Sequence, residues 1–70
     1  MIKVGSFVKV SCAGIDMVSK LGIDDLDAFM IQGKVGVVSG VVDKNTVKVH
    51  FKELNTNFDY RFDTRYIVTA

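Results

Sequence analysis

The stretch Gln32-Gly33-Lys34-Val35-Gly36-Val37-Val38-Ser39-Gly40-Val41-Val42, continuing through Asp43-Lys44-Asn45-Thr46 into Val47-Lys48-Val49-His50-Phe51-Lys52, decides the fold. Valine suits pleated, packed positions, and glycines at 33, 36 and 40 permit bulges and strong bending, so residues 32–42 read as one curved strand. Residues 43–46 carry turn chemistry, with Asn45 best able to take a positive φ. Residues 47–52 then alternate cleanly, which sends Val47, Val49 and Phe51 to the core and Lys48, His50 and Lys52 to water. The pattern is that of a β-hairpin.

Upstream, Gly5-Ser6-Phe7-Val8-Lys9-Val10-Ser11-Cys12 opens at a glycine turn, and Val8, Val10 and Cys12 alternate with Lys9 and Ser11 as in a half-buried strand. Between this strand and the hairpin the period changes. Ile15, Val18 and Leu21, then Ile23, Leu26, Phe29 and Met30, recur at helical spacings of three and four. Asp16 can cap a turn ending near Leu21, Gly22 suits the left-handed position after a helix, and Asp24 with Asp27 resembles an acidic capping pair. Residues 13–31 are expected to form two short helical pieces or one broken helix. Such pieces are too short to stand alone, so a face of Val18, Leu21, Leu26 and Phe29 is expected to dock on the sheet.

Downstream, residues 53–57 form a turn and Phe58-Asp59-Tyr60-Arg61-Phe62 alternates with its aromatics on one face. Phe58 and Phe62 are assigned to the core, while the alternation leaves Tyr60 and Tyr66 open between core and surface. Asp63-Thr64-Arg65 breaks the pattern as one tight helical turn before a short final strand at Tyr66-Ile67-Val68. Five short strands with glycine bends predict a mainly β fold. Its expected form is a five-stranded small antiparallel barrel, closed or nearly so, with a helical insertion between strands 1 and 2.

Seventy residues at 7.7 kDa fit one domain, 1–70, with a thin core. Nearly half the residues are apolar and proline is absent, which argues against disorder. No apolar run has the length of a membrane span or of a signal peptide, so an intracellular, cytoplasmic, complete small protein is expected. Cys12 is the single cysteine and His50 the single histidine, so neither an internal disulfide nor a zinc site is expected, and no cofactor is implied. The net charge of +1 falls short of the balance typical of DNA-coating proteins. Charge is unevenly spread, however: residues 1–33 carry net −1 and residues 34–70 net +2.

Three segments carry a resemblance. Val4-Gly5-Ser6-Phe7-Val8-Lys9-Val10 resembles the first strand of the Src-homology-3-like small barrels, with Ser6 where an acidic residue is common. Gly33-Lys34-Val35-Gly36-Val37-Val38-Ser39-Gly40-Val41 with Val47-Lys48-Val49 resembles the KOW hairpin of the KOW and Tudor-like group. Phe62-Asp63-Thr64-Arg65-Tyr66-Ile67-Val68 resembles the turn and closing strand. Val49-His50-Phe51 with Asn55-Thr56-Asn57-Phe58 is also similar to the late hairpin of the E-type accessory barrel of photosystem I. The KOW resemblance implies binding to RNA, DNA or the transcription and translation machinery; the Tudor-like one implies peptides or methylated side chains. Such barrels host unrelated functions, so the site must carry the reading.

Two sites are expected from the residues. Alternation places Lys48, His50 and Lys52 on one solvated surface with Arg61, and with Lys44 and Arg65 nearby, where they could neutralise nucleic-acid phosphates. Asp59 and Glu53 interrupt this patch, and an ordinary mixed-charge solubilising face is the competing explanation. The other site is the insertion, where Ile15, Met17, Phe29 and Met30 exceed what one docked face can hide and suit a protein partner; capping an open barrel end is the plainer explanation. Cys12 and His50 are the one thiol and imidazole that chemistry could pair, but no nucleophile motif surrounds them. Asp24, Asp25 and Asp27 lack calcium-loop spacing, and the glycines precede no phosphate-binding Lys-Ser or Lys-Thr. The expected function is therefore a non-enzymatic binding module for nucleic acid or a nucleoprotein complex. The alternative is a protein-interaction regulator or accessory component of a complex, cellular or viral, acting through the insertion.

Overall fold

The computed structural model describes residues 2–54 and 59–70. Along the chain lie β1 (Phe7–Val10), α1 (Gly14–Leu21), α2 (Asp25–Ile31), β2 (Val35–Asp43), β3 (Thr46–His50), β4 (Tyr60–Asp63), a 3₁₀ turn (Thr64–Tyr66) and β5 (Ile67–Thr69). The strands form one antiparallel sheet in the order β4-β3-β2-β1-β5. The sheet is not closed. β4 and β5 are its edges, and no ladder joins them among the described residues. The mainly β, five-stranded antiparallel architecture with helices between the first two strands is as expected, without the ladder that would complete a barrel.

The hairpin forms because every second residue of β3 is apolar: Val47 and Val49 are buried, and Phe51 continues the row just past the strand. β2 is longer and shifts register against β3 between Val38 and Gly40 and again between Val41 and Asp43, so the strand bends where its glycine lies. Gly36 has a different task. A Cβ there would sit 2.5 Å from Val49 Cγ1 and 2.9 Å from Phe51 Cε1, so only glycine lets β2 approach the core this closely. In the turn, Asp43 Oδ1 accepts the Asn45 N–H at 2.8 Å. Among the described residues no non-glycine has a positive φ, so the expectation for Asn45 is corrected: a side-chain turn from Asp43 replaces the left-handed residue.

α1 begins after Ala13, which has no side-chain cap, so Asp16 sits in the first turn and does not cap it. Asp16 at the start and Lys20 at the end complement the helix dipole. Gly22 ends the helix at φ 70°, as its position predicted, and the Gly22 and Ile23 N–H groups both donate to Met17 O. Asp24 stands at the N-cap of α2, yet its side chain makes no capping bond; Asp25 and Asp27 supply negative charge to that first turn.

The helices dock through only part of the face expected: Val18 and Leu21 take part in it, whereas Leu26 and Phe29 do not. Met17, Ile23, Ala28 and Ile31 join Val8, Val38, Val47, Val49, Phe51, Phe62 and Ile67 in one apolar cluster, with Val18 and Leu21 partly buried against it. Leu26 and Phe29 point to solvent. Residues 22–24 interrupt the helical phase, so a face drawn across both pieces does not survive the break. Phe51 anchors the centre, meeting Tyr60 at 6.0 Å and Phe62 at 6.1 Å, both edge-on. Tyr60 is thereby settled as a core residue, and its phenol is pushed up to about 12, first by burial and then by the hydrogen-bonded Asp27 carboxylate. Tyr66 is half-buried in the 3₁₀ turn, and the final strand begins only at Ile67. Phe58, assigned to the core above, lies outside the described residues.

Candidate functional site

Cross-strand register assembles one continuous outer face. Phe7 on β1 lies opposite Val37 on β2, and Val37 opposite His50 on β3. A second row runs from Val68 on β5 through Lys9 to Val35. Farther along β3, Lys48 lies opposite Arg61 on β4. Side chains alternate along each strand, so all of these share the side away from the core. Lys9, Lys48 and Arg61 are exposed, and among the described residues none of the three forms an ion pair.

Of the six basic residues expected to act together, Lys48 and Arg61 are brought face to face. His50 shares their surface but is engaged: its Nδ1 lies 3.0 Å from Asp59 Oδ1. The Ser39 hydroxyl donates to Asp59 Oδ2 at 2.6 Å, so Asp59 bridges β2 and β3. The Ser39 hydrogen bond foremost, then His50 and the Lys48 charge, hold the Asp59 carboxyl below its ordinary value. The order of this cluster matters chemically. The hydroxyl meets the carboxylate and the imidazole meets its other oxygen, so His50 is not placed to take the Ser39 proton as a nucleophile's base must.

Lys44 and Arg65 lie at the far end, near the β2–β3 turn, where the Thr64 N–H donates to Asn45 O at 2.9 Å. Arg65 is partly neutralised by Asp63 at 3.3 Å and stacks over Tyr66 at 5.2 Å. Lys52 is corrected: β3 ends at His50 and the chain turns, the Leu54 N–H donating to Phe51 O, so Lys52 does not continue the row of Lys48 and His50. Neighbouring Glu53 pairs with Lys34 at 2.9 Å, away from these cations. Phe7 and Lys9 were not singled out by sequence, although parity offered the signal: if Val8 and Val10 face inward, Phe7 and Lys9 must face outward.

The insertion site is corrected at one position. Met17 is fully buried, whereas Ile15 (76% exposed), Phe29 (75%) and Met30 (42%) are open. Between α1 and α2 runs a shallow groove of about 350 Å³ bordered by Ile15, Val18, Ala28 and Phe29. Cys12 is half-buried against the core cluster, and burial foremost pushes its thiol up, away from the thiolate a nucleophile needs. It lies on the core side while His50 lies on the outer face, so the two are not brought together. Among the described residues no group of acidic, histidine or cysteine side chains is placed to hold a metal, and no helix is long and apolar enough to cross a membrane.

No family model, curated protein or solved structure matches the chain. Fold and surface chemistry alone therefore carry the functional reading.

Proposed function

We propose that this protein is a non-enzymatic binding module of the Src-homology-3-like, KOW kind that associates with nucleic acid or a nucleoprotein through the outer face of β2, β3 and β4. The observation that carries this reading is the Lys48–Arg61 cross-strand pair. Like charges directly opposite each other on a sheet repel, and although Lys48 acts on the Asp59 carboxylate through its charge, among the described residues neither Lys48 nor Arg61 forms an ion pair with it. An anion shared between the two side chains relieves that repulsion, and a backbone phosphate, with oxygens free to meet both cations, can fill that place. The likeness to small barrels is supported by the sequential antiparallel neighbours, by β5 returning beside β1, and by the single 3₁₀ turn before it.

Fluorescence anisotropy with labelled single- and double-stranded DNA and RNA, at several salt concentrations, tests the proposal. Binding is expected to weaken with salt and to vanish in Lys48→Glu/Arg61→Glu, whose exposed positions leave the fold intact. Absence of binding by the unaltered protein at low salt refutes it.

A second reading is a protein-interaction module, favoured by the solvent-facing Ile15, Phe29 and Met30 on adjoining helices. Met17 takes no part in it, being interior. Loss of a co-purifying partner in Phe29→Asp, with the melting temperature unchanged, is its signature.

A further inference from the structure

Phe7 is 61% exposed at the start of β1, within the ladder to β2, although its neighbour Val8 is fully buried. It does not stand alone. Its row continues through half-buried Val37 to His50, and the next row places Lys9 between exposed Val35 and Val68. With strands spaced about 4.8 Å apart, the Phe7 and His50 backbones lie about 10 Å from each other, and the Lys48 and Arg61 cations begin one step along β3. The outer face thus joins an open aromatic ring and an apolar floor to three cations that have no ion-pair partner among the described residues.

Resting on the nucleic-acid reading above, we infer that the ligand is single-stranded and that Phe7 is its stacking platform, with Lys9, Lys48 and Arg61 holding the flanking phosphates. A base presents an apolar π-face and its backbone an anion within a few ångströms, which is the combination this surface offers. A duplex keeps its base faces inside the stack and can engage only the cations. A purely apolar protein partner would gain from Phe7, Val35 and Val68 but would have to desolvate Lys9 in their midst.

The experiment compares labelled oligothymidylate and oligouridylate with a duplex of equal length and with polyphosphate, across a salt series. The unaltered protein is expected to bind the single strands more tightly than either control. Phe7→Leu, which keeps an apolar side chain but removes the ring, is expected to weaken single-strand binding about five- to 150-fold, the stacking contribution of one base, and to leave the controls unchanged. Its salt slope stays that of the unaltered protein, whereas each lost phosphate contact in Lys48→Glu lowers the slope by about 0.7. Phe7→Tyr restores affinity. If Phe7→Leu binds single strands as well as the unaltered protein while Lys48→Glu/Arg61→Glu does not bind, the stacking inference fails and the charge reading stands. If the unaltered protein binds none of the probes, both fall.

Discussion

Replacing Gly36 by alanine adds one methyl group where the structure has no room for it. The new Cβ would lie 2.5 Å from Val49 Cγ1 and 2.9 and 3.1 Å from the Phe51 ring, and both neighbours are buried. Neither can yield to solvent, because Phe51 is locked edge-on against Tyr60 and Phe62. Overpacking of this kind costs about 1–3 kcal/mol, contacts this short put Gly36→Ala in the upper half of that range, and the stiffer unfolded chain returns about 0.4–1 kcal/mol, so a net loss of about 1–2.5 kcal/mol is expected. For a domain of 70 residues this lowers the melting temperature by about 5–15 °C. Thermal unfolding followed by circular dichroism reads the change. Val49→Ala in the same chain removes the nearest clash, so the two substitutions together should cost less than their sum, with a coupling of at least about 0.5 kcal/mol. Gly40→Ala is the control, because its nearest neighbour, Lys48 Cδ, is at 3.8 Å, an ordinary contact. A Gly36→Ala protein that melts at or above the parent, or an additive double mutant, would refute the close-approach argument.

Two further outcomes follow from the core. Met17→Asp should leave the chain unfolded, because it buries an uncompensated carboxylate at a fully enclosed site, while Phe29→Asp on the open side of α2 should melt within a few degrees of the parent, at about the ±0.5 kcal/mol of an ordinary surface change. Equal effects would contradict the helix docking described above. The Tyr60 phenol, raised to about 12 by burial and by Asp27, contributes stability that is fully present below the ordinary tyrosine value near 10 and is lost as pH rises through 12. Denaturant titrations between pH 10 and 12 should therefore fall more steeply for the parent than for Tyr60→Phe; parallel curves would place Tyr60 outside the core.

Local alternation made most of the sheet legible in advance. Val47, Val49, Phe51 and Phe62 are buried where period two puts them, and Val8 and Val10 face inward as read. Helix existence was equally clear from the three-and-four spacing, and Gly22 ends α1 in the left-handed conformation its position implied. The docked helix face was legible only in part, at Val18 and Leu21 of α1. Helical spacing says which residues share a side, but the turn at 22–24 resets the phase, and only contact with the sheet selected Met17, Ala28 and Ile31 over Leu26 and Phe29.

The candidate site divides in the same way. The sequence by itself determined which side of β3 Lys48 and His50 occupy, because side-chain direction in a strand depends on nothing beyond the neighbouring residues. Only the tertiary structure decided that Lys48 faces Arg61, that Asp59 reaches both Ser39 and His50, that Lys52 leaves the row, and that Phe7 and Lys9 share the surface. Those pairings depend on strand order and register across distant parts of the chain, which the packing of the shared core selects and no local pattern records.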